Sequence, residues 1–325
     1  MQLNEPICPA VRISLIVPIH NELENLPDLV NQVAQAMANV PSVWELICVD
    51  DGSRDGSDQL LTELATTRPW LHPLFLRRNY GQSTAMQAGF DSAAGEILVT
   101  LDGDLQNDPA DIPRLLDLLD QRPDIDIISG WRRQRRDKAI SRRLPSILAN
   151  RLISWVTRVP LHDYGCSLKL YRREAVRFVK LYGELHRFIP ALAHEFGARV
   201  MEAEVHHHPR TRGTSKYGID RTLRVLLDLL WVKFLLRFLH RPLHAFGSIG
   251  AAMFLPGMLI LLWLTGVKLF LGESIGQRPL LMLGVMLSLM GTQFIGMGIL
   301  GEMLTRIWHE PGGKKQYLLR ESTPS

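Results

Sequence analysis

Two stretches of this chain, residues 245–267 and 279–301, contain no charged side chain. As helices each would be about 35 Å long, enough to cross a bilayer core of about 30 Å. Only residues 268–278 join them, so the pair reads as a transmembrane hairpin with both outer ends on one side. The outer flanks carry Lys233, Arg237 and Arg241 before the first span, and Arg306, Lys314, Lys315 and Arg320 after the second. The joining segment has only Lys268 and Arg278 as basic residues. The positive-inside bias therefore puts everything before residue 243 in the cytoplasm. The first apolar run, Ile13 to Ile19, lacks a basic leader and contains Pro18, so it does not read as a signal peptide. The expectation is a multi-pass protein of the cytoplasmic (inner) membrane.

The second span also holds Gly296-Met297-Gly298-Ile299-Leu300-Gly301, which matches the GxGxxG dinucleotide fingerprint letter for letter. That fingerprint needs a strand before it and a soluble helix after it. Inside an uncharged run of membrane length, small residues serve close helix packing instead.

The polar part of the chain alternates strand and helix. Val11 to Ile19, Glu45 to Val49, Leu74 to Leu76, Ile97 to Leu101 and Ile125 to Ser129 read as strands. Leu23 to Met37, Ser57 to Ala65, Ser83 to Ala93 and Asp111 to Leu119 read as helices between them. This order predicts an α/β domain built on a Rossmann-like, mostly parallel sheet with helices on both faces. In such sheets ligands bind beyond the carboxyl ends of the strands. Three acidic clusters follow strands there: Asn21-Glu22, Asp50-Asp51 and Asp102-Gly103-Asp104. One carboxylate after a strand is ordinarily a cap or turn residue. Three clusters on one edge repel unless a cation joins them, and Mg2+ bridging one or two carboxylates to a diphosphate is the obvious candidate.

Other readings are weaker. The three cysteines, Cys8, Cys48 and Cys166, are an odd number without metal-type spacing, which argues against a disulfide scaffold. The net charge of +4 is concentrated in Arg132, Arg133, Arg135, Arg136, Lys138, Arg142 and Arg143. With few aromatics to stack bases and no nucleic-acid module, that run suits anionic lipid rather than RNA. His206, His207 and His208 invite a zinc reading, but no cysteine or carboxylate in the sequence pattern completes a tetrahedral set.

Five motifs carry a resemblance. They are Val17-Pro18-Ile19-His20-Asn21-Glu22, Asp50-Asp51-Gly52-Ser53-Arg54-Asp55-Gly56-Ser57, Asn79-Tyr80-Gly81-Gln82, Asp102-Gly103-Asp104-Leu105-Gln106-Asn107-Asp108-Pro109 and Asp163-Tyr164-Gly165-Cys166. Together they resemble family 2 glycosyltransferases of the GT-A fold. More narrowly they resemble the polyprenyl-phosphate branch: dolichyl-phosphate mannose synthases, bactoprenol glucosyltransferases and undecaprenyl-phosphate aminoarabinose transferases. Two positions depart from it: Gly103, where alanine is frequent, and His20, where tyrosine is common.

The resemblance implies roles. Pro18, His20, Asn21, Glu22, Asp50, Asp51, Asp102 and Gly103 would bind the nucleotide sugar. Asp104 and Gln106, with Asp102, would hold Mg2+ or Mn2+. Arg132 would neutralise the diphosphate, and Asp163 would be the carboxylate at the reacting sugar. Arg210 and Lys216 would close over the donor, while Arg142, Arg143, Ser215 and Lys216 would meet the acceptor phosphate. The implied layout is a cytoplasmic GT-A catalytic domain over residues 1–217 and an interfacial amphipathic helix over 218–242. A hairpin over 243–302 and a cytoplasmic tail over 303–325 complete it. The implied activity is inverting transfer of a sugar, with UDP-glucose preferred, to undecaprenyl or dolichyl phosphate for modification of envelope glycans such as lipopolysaccharide. A GDP-mannose-dependent synthase and an inactive membrane-anchored scaffold are the alternatives. A homo-oligomer is allowed, and no nucleic-acid partner is expected. A processive polysaccharide synthase would carry an Arg-Trp pair, and this chain has none.

Overall fold

The computed structural model describes residues 11–133, 153–154, 157–181, 183–209 and 242–309. These fall into two compact units, one before residue 210 and one after residue 241.

The first unit opens with β1 (Ile13–Ile19), α1 (Leu26–Met37), β2 (Trp44–Asp50), α2 (Ser57–Thr66) and β3 (Leu71–Phe75). It continues through α3 (Gln82–Ser92), β4 (Ile97–Thr100), α4 (Ile112–Gln121) and β5 (Ile127–Trp131). β6 (Lys169–Arg172), the one-turn α5 (Arg173–Val176), α6 (Ile189–Glu195) and β7 (Val200–Glu204) follow. The seven strands lie in the order β3-β2-β1-β4-β6-β5-β7. All neighbouring pairs are parallel except the two that β6 makes, with β4 and β5. The α/β sheet expected from the sequence is therefore present, extended by β6 and β7.

β1 reads ISLIVPI and is buried along nearly its whole length, because helices cover both of its faces. α1 delivers Leu26, Leu29, Val30, Val33 and Met37 to one side of the sheet at helical spacing. On the other side α3 offers Ala85, Ala88 and Gly89, and a Cβ at Gly89 would collide with Ile16. Small residues there let the helix lie close on β1.

Pro18 sits in this central strand without breaking it. Even-numbered residues of β1 point their backbone toward β4, as Ile16 does in accepting from Leu101 N–H. The β4 ladder ends at the Ile16–Thr100 pair, so the N–H that proline lacks has no ladder partner to lose. β1 and β4 part company there, with β2 returning on the opposite side. This is the switch point of the sheet, where a crevice must open.

The second unit is a pair of helices, α7 (Pro242–Leu271) and α8 (Pro279–His309). Both expected spans lie inside them, and both helices run beyond the uncharged stretches. They approach through glycine: a Cβ at Gly250 would lie 2.7 Å from Gly291 O, and one at Gly257 would lie 2.7 Å from Ser288 N. Away from the seam, Leu259, Leu262, Leu269 and Phe270 are exposed, with Phe270 at 90%. Helices this apolar outside and this long suit lipid, not the interior of a soluble domain.

Candidate active site

The segments after β1, β2, β4 and β5 leave the same edge of the sheet, since these four strands run in one direction. Asp51, at 3% exposure, accepts the N–H groups of Tyr80 (2.6 Å) and Gly81 (2.8 Å), one on each oxygen. Asp50 accepts the N–H of Ser53. Gly52 has φ +66°, and a Cβ on it would lie 2.5 Å from the carbonyl carbon of Arg78, so only glycine fits. The loops after β2 and β3 are thus stitched together through Asp51 and Gly52. Sequence reasoning assigned Asp51 a direct contact to base or ribose. The structure gives it a different first task, holding the loop that Tyr80 and Gly81 belong to.

The loop after β1 joins the same wall. Asn21, in a left-handed conformation (φ 56°), donates its N–H to Ser53 Oγ and accepts Arg54 N–H on Oδ1, both at 2.9 Å. His20 Nδ1 lies 3.0 Å from Asp51 O, to which it donates, and Nε2 lies 3.3 Å from Asn21 Nδ2. Glu22 accepts from Asn25 Nδ2 at 2.6 Å. Pro18, His20, Asn21, Glu22, Asp50 and Asp51 are thereby brought to one edge, as the sequence implied.

The loop after β4 faces them. Asp104 Oδ1 accepts the N–H of Gln106 at 3.2 Å, and Leu105 between them has φ 60°. That turn folds Asp102 and Asp104 toward each other. A Cβ on Gly103 would lie 2.8 Å from Ile19 Cδ1 and 3.5 Å from Pro18 O, so this loop is seated against the end of β1. Asp102 Oδ1 accepts from Gln82 Nε2 at 2.7 Å. Burial and then the neighbouring Asp104 carboxylate push the Asp102 pKa up, against the pull of Ser167, Arg132 and Lys169. Two carboxylates two residues apart, with the side-chain amide of Gln106 two residues further on, are a hard-oxygen donor set suited to Mg2+ or Mn2+. Among the described residues no group of three His, Cys, Asp or Glu side chains gathers for a metal. A cation held here would complete its shell with diphosphate oxygens, as Mg2+ sites commonly do.

Arg132 and Asp163 form a bidentate ion pair, Nε to Oδ2 at 2.7 Å and Nη2 to Oδ1 at 3.0 Å. Burial opposes the guanidinium charge, but the Asp163 carboxylate overrides it and the Arg132 pKa rises. Sequence reasoning treated these residues separately, whereas the structure presents them as one unit. Beneath them lies Lys169, 2% exposed, whose ammonium donates to the carbonyls of Cys166 and Tyr164. Its pKa is lowered by burial, against the neighbouring Cys166 and Asp163. The Cys166 thiol is pushed up to about 11 by burial, which makes it an inert packing residue.

The three histidines do not share a centre. They follow β7, where His206 Nδ1 meets Asp111 Oδ1 and His208 Nε2 meets Asp108 Oδ2, each at 3.1 Å. His207 bridges Asn107, and His208 N–H donates to Gln106 O at 2.8 Å. Carboxylates are present after all, but each serves a separate histidine, and the segment laces β7 to the loop after β4.

Arg142, Arg143, Arg210, Ser215 and Lys216 lie outside the described residues, as does the interfacial helix expected over 218–242 up to residue 241. Conversely, pattern reading gave Gln82 no role of its own and missed Lys169, Glu202 and the Ser83–His186 pair. Ser83 Oγ is 2.8 Å from His186 Nδ1 and pins the start of α3, and burial holds the His186 pKa well below its ordinary value.

Residues 14–179 match Glycosyl transferase family 2. The chain belongs to that family. This glycosyltransferase is 46% identical over 98% of its length to a dodecaprenyl-phosphate galacturonate synthase of Rhizobium johnstonii, covering 94% of that protein. It is 37% identical over 95% of its length to an undecaprenyl-phosphate 4-deoxy-4-formamido-L-arabinose transferase of Pectobacterium carotovorum, covering 93% of it. Among solved structures it is similar in fold to a mannosyltransferase of Pyrobaculum calidifontis with GDP-Man and Mn2+ bound. That likeness has a TM-score of 0.50 and 17% identity, over 95% of this chain and 92% of that one. The glycosyltransferase thus has the expected GT-A sheet and an enzyme's family. With two apolar helices of spanning length and relatives of this kind, it is a membrane protein.

Proposed function

We propose that this glycosyltransferase transfers a sugar from a nucleoside-diphosphate donor to a polyprenyl phosphate, with inversion, at the cytoplasmic face of the inner membrane. The observation that carries the reading is the Asp102-Gly103-Asp104 turn seated against the end of β1 at the sheet's switch point, together with the bidentate Arg132–Asp163 pair that follows β5. Its relatives' names supply the acceptor class, and the hairpin gives a reason for the enzyme to sit where such a lipid lives.

A polyprenyl phosphate is largely ionised near neutral pH, since a phosphomonoester has a second pKa of about 6. It is already a nucleophile, and the demanding part is departure of the nucleoside diphosphate. Asp102, Asp104 and Gln106 would hold a divalent cation, which when bound supplies Lewis-acid stabilisation of that leaving group. His20, Asn21, Glu22 and Asp50 line the wall for the nucleoside, and Asp51 shapes it. Asp163, held in one orientation by Arg132, stabilises positive charge growing at the anomeric carbon, as carboxylates do in other glycosyl transfers. The Arg132 guanidinium offsets charge on the diphosphate. Arg210 and Lys216 are assigned to donor closure, and Arg142, Arg143, Ser215 and Lys216 to the acceptor phosphate. The uridine donor is kept from the sequence reading. For the sugar, galacturonate takes precedence over glucose, because a relative 46% identical carries that name.

The test is a donor screen. Purified full-length protein is incubated with undecaprenyl phosphate, Mg2+ or Mn2+, and UDP-galacturonate, UDP-glucose, a UDP-activated aminoarabinose derivative or GDP-mannose. The glycolipid is read by mass spectrometry. One galacturonosyl-lipid product is expected. A hexosyl-lipid from GDP-mannose alone would replace the donor assignment, and no glycolipid with any donor would overturn the activity.

A further inference from the structure

Glu202 has no part in the chemistry described so far. It lies on β7 opposite Ser129 of β5, and its side chain is 11% exposed. Its Oε1 accepts two successive backbone N–H groups, His162 at 2.7 Å and Asp163 at 3.1 Å. Its Oε2 is 2.7 Å from His162 Nδ1. The His162 ring stacks on Trp131, with centroids 4.5 Å apart and planes 19° apart. One carboxylate therefore grips the backbone where Asp163 emerges, and the stack lays the gripped residue on the end of the strand that leads into Arg132.

The other side of the same turn is held by a charge of opposite sign. Lys169 donates to the carbonyls of Tyr164 (3.4 Å) and Cys166. Anion on the N–H side and cation on the C=O side fix residues 162–166 from both directions. A connecting turn at a surface satisfies its backbone with water and needs neither. Sequestering two charges for the purpose is costly unless the geometry they impose is needed.

We propose that Glu202 is a positioning residue for the transfer reaction: with Lys169 it clamps turn 162–166, so that the Asp163 carboxylate keeps one orientation against Arg132. The inference rests on the reading of Asp163 as the carboxylate at the reacting sugar. A displacement of about 1 Å at such a group can cost about 100-fold in rate. Glu202→Ala should accordingly lower kcat by about 10- to 100-fold. Both backbone bonds go to Oε1, so Glu202→Gln keeps an acceptor at that place. That variant should stay within about threefold of wild type.

The experiment uses the full-length enzyme and measures transfer kinetics beside nucleotide binding by calorimetry. The proteins are wild type, Glu202→Ala, Glu202→Gln, Asp163→Asn and the double variant Glu202→Ala/Asp163→Asn. Glu202→Ala is expected to lose kcat while donor KM and nucleotide Kd move by less than about twofold. In the Asp163→Asn background, where residual transfer is followed to its end point by mass spectrometry, Glu202→Ala should add less than about threefold, because residues acting as one unit are not additive. A wild-type kcat in Glu202→Ala would overturn the proposal. So would nucleotide binding falling in step with kcat, or the full loss recurring on top of Asp163→Asn. Wild-type activity of Asp163→Asn alone would instead refute the role of Asp163, whatever Glu202 does, and the clamp would lose its purpose with it.

Discussion

Asp163 and Arg132 meet through two parallel hydrogen bonds of 2.7 and 3.0 Å, with side chains only 5% and 13% exposed. The pair joins the turn before β6 to the end of β5, which are 31 residues apart in sequence. Its fork geometry is what arginine provides and lysine does not. A buried pair of this kind adds little net stability when intact, since desolvation offsets the attraction. Its worth lies in fixing one carboxylate orientation at the mouth of the crevice.

Arg132→Ala leaves the Asp163 carboxylate buried and unpaired, a change that typically costs about 3–5 kcal/mol. The variant should melt well below wild type and transfer no sugar. Arg132→Lys keeps the charge but not the fork, so it should fold and turn over slowly. Thermal unfolding and the transfer assay on both variants test this. Unfolding of Arg132→Ala at the wild-type temperature would refute the account of the pair.

Chelation addresses the carboxylates after β4. EDTA should abolish transfer, and Mg2+ or Mn2+ should restore it. Asp104→Asn should keep the turn, because its amide oxygen still accepts the Gln106 N–H, yet be inactive for want of a negative ligand. Full activity of exhaustively chelated enzyme would show that Asp102, Asp104 and Gln106 hold no essential cation.

Asp51 offers a graded series. Replacing it by alanine strips the acceptors from Tyr80 N–H and Gly81 N–H, and each buried unsatisfied donor costs about 1–3 kcal/mol. Asp51→Asn retains one acceptor oxygen and should fall between alanine and wild type. Nucleotide affinity by calorimetry and melting temperature should decline in that same order. Intact stability with weakened nucleotide binding in Asp51→Ala would instead mean that Asp51 touches the nucleotide and does not hold the loop.

The first half of the sheet was legible because its strands are continuous apolar runs such as ISLIVPI and ELICV, each ending in acidic residues that mark the ligand edge. The helices α1 and α4 were equally plain from their apolar stripes, though α1 starts at Leu26, three residues later than the pattern suggests. β6 and β7 were not legible. β6 is KLYR, four residues with a buried lysine, and β7 is VMEAE, whose Glu202 sits partly buried because it binds backbone, not water. Charged residues inside short strands defeat a hydropathy pattern. The same physics hid the site's supporting cast. Motifs locate Asp102, Asp104 and Asp163, but only folding shows that Asp163 is shared among Arg132, Glu202 and a turn pinned by Lys169. For His206 and His208 the sequence pattern offered no further ligands to complete a zinc site, and the fold gives each histidine its own aspartate.

The flank charges predict the topology: both ends of the hairpin in the cytoplasm and residues 272–277 on the far side of the membrane. A cysteine replacing Ser274 should react with an impermeant thiol reagent added to the periplasm of intact cells. A cysteine replacing Ser322 should be protected until the membrane is opened. Cys48 is buried, with its thiol pushed up to about 12, so it should contribute little background. Labelling at residue 322 from the periplasmic side would reverse the orientation.

The hairpin seam gives a sharp contrast between two glycines of α8. A Cβ on Gly291 would lie 2.6 Å from the backbone N of Phe254 and 2.7 Å from Gly250 O, so α7 would have to move away as a whole. A Cβ on Gly296 would meet nothing within 4 Å. In lipid there is no hydrophobic drive to hold the helices together, and their association rests on this close packing. Gly291→Leu should therefore lower the thermal stability of the detergent-solubilised protein and loosen the hairpin, whereas Gly296→Leu should leave both unchanged. Gly298 belongs between them, since its Cβ would sit 3.2 Å from Leu243 Cδ1 and 3.3 Å from the backbone at Leu243 Cα and Gly247 N, tight but short of the overlap at Gly291. The first two glycines of the apparent dinucleotide fingerprint, Gly296 and Gly298, would then be ranked by helix packing, with Gly296 dispensable. A nucleotide-binding loop would require Gly296 and Gly298 alike, so a loss of nucleotide affinity in Gly296→Leu would return the fingerprint to consideration.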